Sequence, residues 1–493
     1  MDQLSKIVCE PAMSSWLEQA RQNRVEMTEH MFSSLKINDF RRKLFEQAAL
    51  FTKNRLGEDI GNLAVFEENK LIIAAGHQPV NYHAGVARKN AYLAEIVRSG
   101  DALGINIIID TDSGIAAKLT YPQKSTTDVY SIGERQLSEG GSVYLSQRIL
   151  DTDTLSTLFE QINTTTLPDI APALKRVEDQ YRLSAADSVV TGLTRIRRYF
   201  ESNPCYLELP LTELISLAEA SEFLASVINK GEFFHQHFNK ELDAFRDQRK
   251  IKNHANPFPN LGQRQDLLEL PFWVIDRRAG SRTALYLRTE VGTLVSEDGM
   301  TLGSKSEAKD LFNWSNNEQY RLAPRALLIT AMLRVLCSDY FIHGLGGARY
   351  DAFLDRLFES YWHVKAPKFA VVSETRYLYP ELVNQLEQTE HLLASAREIQ
   401  FHLDKYIDNG TFPEDLAGSL RTLWNERNTL KEQLIEIKRS GAAAADTTQA
   451  MKRVDAEIKS ALTSFFMTRS LPSPLAIEAL RWREFPFMYF SGA

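Results

Sequence analysis

Cysteine is scarce in this chain: Cys9, Cys205 and Cys337 are the three thiols in 493 residues. They are far apart and odd in number, and no CxxC pair occurs. A disulfide framework and a cysteine zinc site are therefore not expected. Cys337 falls in an apolar run and reads as a packed core thiol. Long hydrophobic runs are missing as well: no window approaches the ~20 apolar residues that a membrane span needs. No N-terminal apolar segment resembles a signal peptide. Basic clusters are also lacking. The net charge is −7, and the lysines and arginines are dispersed among acids, which speaks against a nucleic-acid partner. The serine-nucleophile pattern GxSxG and the P-loop pattern GxxxxGKS/T do not occur. The glycines at 344–347 miss the GxGxxG spacing, which disfavours a nicotinamide dehydrogenase. The expectation is a reduced, cytoplasmic, soluble protein with no membrane partner.

An apolar content of 44% and a charged content of 25% are those of an ordinary globular chain. Its length is too great for one core, so two or three domains are expected.

The most informative stretch is 71–110. Residues 71–75 form a short apolar run stopped by Gly76, which reads as a buried strand. An irregular loop, GHQPVNYHAG, occupies 76–85. A helix is expected from about Val86, with Val86, Leu93, Ile96 and Val97 on one face. The run INIIID at 105–110 follows, too continuously apolar for a one-sided sheet. Strand, loop, helix, strand is a βαβ unit whose second strand is parallel and buried on both faces. Ligands of open parallel sheets sit beyond the carboxyl ends of the strands, where 76–85 and 110–112 would lie.

Those residue types suit an anion. Gly76 and Gly85 permit close backbone approach, and the helix start offers unpaired N–H groups and a positive dipole end. His77 and His83 are candidate catalytic groups, able to donate to a phosphoryl oxygen or move a proton near neutral pH. Gln78, Asn81 and Lys89 are candidate substrate contacts. The same pattern also fits a tight turn whose histidines are satisfied by carbonyls. Asp110 and Asp112 are candidates for a ribose hydroxyl or an ammonium. Two acids are too few to claim a metal site.

A second loop has the same form. His343, Gly344, Gly346, Gly347, Arg349 and Asp351 follow an apolar run and lead into a helix. They are candidate ligand contacts, against the alternative of a helix–helix turn with glycine caps. Arg277, Arg278 and Arg282 read as a solvated hairpin tip rather than a phosphate clamp.

The spacing Gly76-x-x-Pro79-x-x-x-His83-x-Gly85 resembles the HxGH signature of nucleotidylyltransferases and class I aminoacyl-tRNA synthetases, with Val86 in place of the second histidine. Across nearly the whole chain, the order of elements is similar to the BshC family, the bacillithiol-biosynthesis cysteine-adding enzymes. That order is a strand with a Gly-x-Gln loop, a strand ending in acids, a helical insertion, a Gly346-Gly347 loop, a long coiled coil and a terminal Arg483-Glu484-Phe485. The resemblance implies an α/β, Rossmann-like core of nucleotidylyltransferase type with a C-terminal antiparallel coiled-coil domain. It also implies a small-molecule substrate, a nucleotide such as ATP or ADP, and amide formation between cysteine and an amino sugar conjugate. The other readings are a nucleotidylyltransferase releasing pyrophosphate and a non-catalytic nucleotide-binding assembly protein.

Amphipathic helices are expected over 1–70, with Trp16, Leu17, Met27, Met31, Phe32, Leu35, Phe40 and Leu44 as core positions. They and the first half of the core fill 1–150, with a β-like piece at 142–146. A helical insertion at 151–252 carries Phe223, Leu224, Phe234 and Phe238, with a break at Gly231. The second core half, 253–376, holds a strand at 270–275, a returning strand at 283–287, an apolar helix at 326–340 and a strand at 369–372. At 377–470, heptad leucines such as Leu382, Leu386, Leu416, Leu420 and Leu423 predict a hairpin across the 408–413 break, then a return helix. That seam also offers a homodimer surface. Residues 483–490, within 471–493, are expected as an edge strand closing on the core, since Pro486 forbids a central one.

Overall fold

The computed structural model describes residues 6–30, 34–59, 61, 65–112, 118–124, 130–136, 149–165, 170–255, 258–316, 318–440, 443–468 and 481–490. The chain begins with β1 (Lys6–Glu10), α1 (Trp16–His30) and α2 (Ser34–Asn54). The βαβ unit follows as β2 (Leu71–His77), α3 (Ala84–Arg98) and β3 (Ala102–Ile108). A hairpin of β4 (Lys118–Lys124) and β5 (Tyr130–Gln136) leads to α4 (Thr152–Thr165), α5 (Ala171–Leu183) and α6 (Val189–Phe200). Then come β6 (Leu207–Pro210), α7 (Leu211–Ile215), α8 (Ala218–Asn229) and α9 (Gly231–Arg249).

An antiparallel set follows: β7 (Gln263–Arg264), β8 (Leu267–Asp276), β9 (Ser281–Arg288), β10 (Thr293–Ser296), β11 (Thr301–Ser304) and β12 (Tyr320–Pro324). Next are α10 (Ala326–Met332), β13 (Tyr340–His343), α11 (Leu345–Ser360) and β14 (Phe369–Thr375). The last helices are α12 (Pro380–Phe401), α13 (Asp404–Ile407), α14 (Glu414–Ser440) and α15 (Ala445–Thr468).

The fold is mixed α/β. Its main sheet runs β1-β14-β13-β2-β3-β6, parallel except for β1. Both faces are covered, as continuous apolar strands require. Ile72 and Ala74 of β2 enter one hydrophobic cluster, while Leu71, Ile73 and Ala75 enter the cluster on the other face. The expected strand, helix and parallel strand are therefore present, with the helix starting two residues earlier than expected and the second strand starting at Ala102.

At the amino ends of these strands a buried charge ties the layers together. Asp339 accepts from the Ile72 N–H at 2.7 Å, and pairs with Arg41 at 2.8 Å and with Arg24. Its carboxyl lies below its ordinary value: burial raises it, but the Arg41 and Arg24 charges and the hydrogen bonds from Arg24 and Ile72 outweigh that cost.

Several expectations need correction. The stretch before residue 70 holds a strand, β1, besides its helices. Trp16, Phe40 and Leu44 are buried as expected, whereas Met31, Phe32 and the side chain of Leu35 lie outside the described residues. The β-like piece at 142–146 also lies outside them. Residues 151–252 are not purely a helical insertion, because β6 pairs with β3 in the main sheet. Four residues are too few to show a period. The expected hairpin near 270–287 is present as β8 and β9, but it belongs to a separate sheet ordered β11-β10-β9-β8-β12. The apolar run 326–340 is broken: after Met332 it passes through a π-helical turn and ends in β13. The break at Gly231 separates α8 from α9.

At the C-terminal end, α14 folds back on α15, and α12 packs on α15. The partner of α14 is thus α15 rather than the helix before the 408–413 break. Leu420, Val454, Ile458, Leu462 and Ile399 share one cluster, which Phe412 from the break enters. Residues 483–490 do not form a strand. They make a single bridge, Pro486 with His83, and a 3-10 turn, Phe487–Tyr489. Pro486 has no N–H to continue a ladder. Among the described residues no helix is long and apolar enough to cross a membrane.

Candidate functional site

From β2 the chain moves outward to β3 and β6, then returns to place β13 and β14 on the other flank of β2. The order reverses between β2 and β13, and a crevice opens at such a switch point beyond the carboxyl ends. The register aligns Ile342 with Ala75, so His343 comes level with Gly76. Both α3 and α11 begin at this edge. The start of α11 has Gly344 as its N-cap, with no side-chain cap.

Lys89, a candidate substrate contact in the sequence, is buried at this edge. It springs from the second turn of α3 and is 4% exposed. Its Nζ donates to the Gly76 carbonyl at 2.9 Å. A Cβ on Gly344 would lie 3.9 Å from its Cδ, so the side chain crosses the ends of both strands. Burial, then the nearby Arg197 charge, lower its value to about 8. No carboxylate contributes. Arg197, in contrast, is neutralised by Glu201 and Glu208. An ammonium carries three donors, and that of Lys89 has one acceptor among the described residues.

Both loop histidines are held in packing contacts. His77 lies edge-on to Tyr82 at 5.1 Å, and its Nδ1 donates to the Gln78 carbonyl at 3.2 Å. Burial and the Lys89 ammonium push its value down to about 3. His83 is the N-cap of α3: its Nδ1 accepts from the Gly85 N–H at 3.1 Å. Burial also lowers its value. The Nδ1 of His83 is thus occupied in capping α3, a structural role that the sequence reading did not include. Gly85 serves packing rather than ligand access. A Cβ there would meet Ser373 Oγ at 2.8 Å and the Glu374 carbonyl at 3.0 Å. The same contact is reinforced by Arg88 and Glu374, paired at 2.8 Å.

The other loop residues are mostly engaged. Gln78 donates to Asp112 at 2.7 Å, and Arg282 reaches the other Asp112 oxygen at 2.9 Å from the second sheet. Asn81 donates to the Lys118 carbonyl at 2.6 Å and accepts from the Tyr181 hydroxyl at 2.7 Å. Asp110 is buried and accepts from the backbone N–H and hydroxyl of Thr212, at 3.1 and 2.6 Å. It caps α7 and is not available to a ribose or an ammonium, contrary to the sequence expectation.

Burial raises the Asp110 value to about 7 despite the Thr212 bonds. A folded value above the unfolded one contributes stability that is full below about pH 4 and lost as pH rises through 7. Asp110→Asn keeps the shape and removes that slope. Urea unfolding at pH 4.5 and 7.5 should show the stability of the wild type relative to the variant falling by about 3 kcal/mol. A pH-independent difference would contradict the assignment.

In the second loop, His343 Nε2 lies 3.3 Å from Asp351 Oδ2. Arg334 stands between Asp351, at 3.6 Å, and Asp355, at 2.8 Å. Gly347 lies under the His343 ring, Gly346 faces open space, and Arg349 is exposed with no polar partner among the described residues. Arg334, Ser373, Glu374 and Arg197 were not foreseen, because strand order rather than local spacing brings them to this edge.

Two cavities, of about 130 Å³ beside Asn23 and Pro367 and about 460 Å³ between Lys43 and Glu219, do not border the carboxyl ends of β2 and β13. Both are lined by surface charges and carry none of the loop residues. No group of three or more potential metal ligands occurs among the described residues. No family model matches this chain, and no curated protein matches it.

Proposed function

We propose that this chain is a BshC-like ligase or transferase that holds an anionic substrate group in a Rossmann-like crevice between β2 and β13. There it would join an amino acid such as cysteine to an amine acceptor. The observation that carries the reading is Lys89, a buried ammonium with no counter-charge among the described residues and two donors to spare, beside the uncapped start of α11. An unpaired buried cation is costly, and a phosphate or carboxylate ligand supplies the missing partner. The donor set therefore fits the phosphate end of a nucleotide or the carboxylate of an amino acid. A ribose is not provided for by Asp110, which is bonded to Thr212. In this reading Lys89 and the amides at the helix start offset charge on the anion, while Gln78, held by Asp112, flanks it.

A thermal-shift series with ATP, ADP, inorganic pyrophosphate and cysteine tests the reading. A ligand at 100 times its Kd stabilises the native state by about 2.7 kcal/mol. At least one anion should shift the wild type, and Lys89→Met should abolish that shift. No response to any of the four, or an undiminished response in the variant, would overturn it.

A further inference from the structure

The second loop carries chemistry that anion binding does not use. We propose that His343, positioned by Asp351, is the general base that takes a proton from the amine acceptor in the crevice. This rests on the preceding reading of the site. In the step, the acceptor nitrogen bonds to the acyl carbon of an activated carboxylate, such as an acyl phosphate. The leaving group departs with its bonding pair, and the amine proton passes to His343 Nδ1.

The geometry separates the two ring nitrogens. Nε2 is buried and lies 3.3 Å from Asp351 Oδ2, itself buried; neither atom completes a hydrogen bond among the described residues, and the Arg334 guanidinium is 3.6 Å from the same oxygen. Nδ1 has no partner among the described residues and is not among the buried unpaired atoms. Long carboxylate–imidazole contacts of this kind are common before substrate binds. An ordinary core histidine looks different: His235 is satisfied by the Gly262 carbonyl at 3.1 Å.

The ring position is also built into the helix start. A Cβ on Gly347 would fall 1.9 Å from His343 Cε1 and 2.2 Å from Nδ1. A side chain at 347 would expel the imidazole from its place beside Asp351. Charge points the same way. Arg334, stacked on Phe369 at 4.5 Å, is set between two carboxylates, Asp351 and Asp355. A proton arriving on His343 brings that group to neutrality, with Lys89 on the far side as the charge awaiting an anion.

Carbethoxylation of the full chain with diethyl pyrocarbonate, mapped by peptide mass, tests the pair without requiring the substrate. His343 should react faster than His77 and His235. Asp351→Asn and Gly347→Ala should each slow His343 about tenfold while leaving the exposed His254 unchanged. An unreactive His343 in a wild-type chain that binds pyrophosphate would overturn the dyad alone. An equal rate in both variants would do the same. A reactive, Asp351-dependent His343 in a chain that ignores pyrophosphate would uphold the dyad and sink the anion site.

Discussion

Replacing Asp339 by alanine is expected to cost about 3–5 kcal/mol of folding stability, a range typical of breaking a buried pair. The carboxylate is fully buried and serves three groups at once: Arg41, Arg24 and the Ile72 N–H at the head of β2. Its removal strands Arg41, whose side chain is 5% exposed, without its counter-charge. It also removes the side-chain link from the start of β13 to the Ile72 N–H and to the arginines of both N-terminal helices. Asp339→Asn should cost less, because one oxygen still accepts from Ile72. Urea midpoints of the two variants would check this. A loss under 1 kcal/mol in the alanine variant would show that the network contributes nothing net.

The second large effect has the opposite sign. Lys89→Met is expected to stabilise the ligand-free chain at pH 7 while removing its anion site. The folded value of about 8 against the ordinary 10.5 amounts to about 3 kcal/mol of cost to the charged form. Loss of the bond to the Gly76 carbonyl returns about 1 kcal/mol of that. The net gain should be about 2 kcal/mol. The sign with pH follows from linkage: the cost is full below about pH 8 and fades as pH rises toward 10.5, so the advantage of the variant should shrink over that interval. Chemical unfolding at pH 7 and 10 measures it. A variant less stable than the wild type at pH 7 would mean that Lys89 already has its partner. Stability given up at one residue for binding is a familiar exchange at functional sites.

The parts of this architecture visible in the sequence were those with a long enough pattern. The runs at 71–75 and 105–110 are apolar on both faces, which only a covered parallel strand tolerates, and β2 and β3 follow. The amphipathic face of α3 was equally plain. Tyr340–His343 was hidden, because four residues directly after an apolar helix carry no period of their own. Without β13 the switch point cannot be seen, and nothing in the sequence shows that Lys89, though a candidate contact, is buried without a carboxylate beside it. Leu207–Pro210 was lost for the same reason.

The site residues were partly legible. The glycines and histidines of 76–85 marked the right sheet edge. Composition could not say which nitrogen caps a helix, and His83 turned out to cap α3. Nor could it show that Asp110 bonds to Thr212, about a hundred residues away. Gly347 reads in the sequence as a ligand contact, whereas the structure gives it a steric reason in His343.

The most direct test of the anion crevice is a crystal of the wild-type chain soaked in inorganic pyrophosphate. The account predicts ligand density between the ends of β2 and β13, with an oxygen within hydrogen-bond distance of Lys89 Nζ. Density confined to other surfaces, with Lys89 still bonded to the Gly76 carbonyl alone, would contradict it.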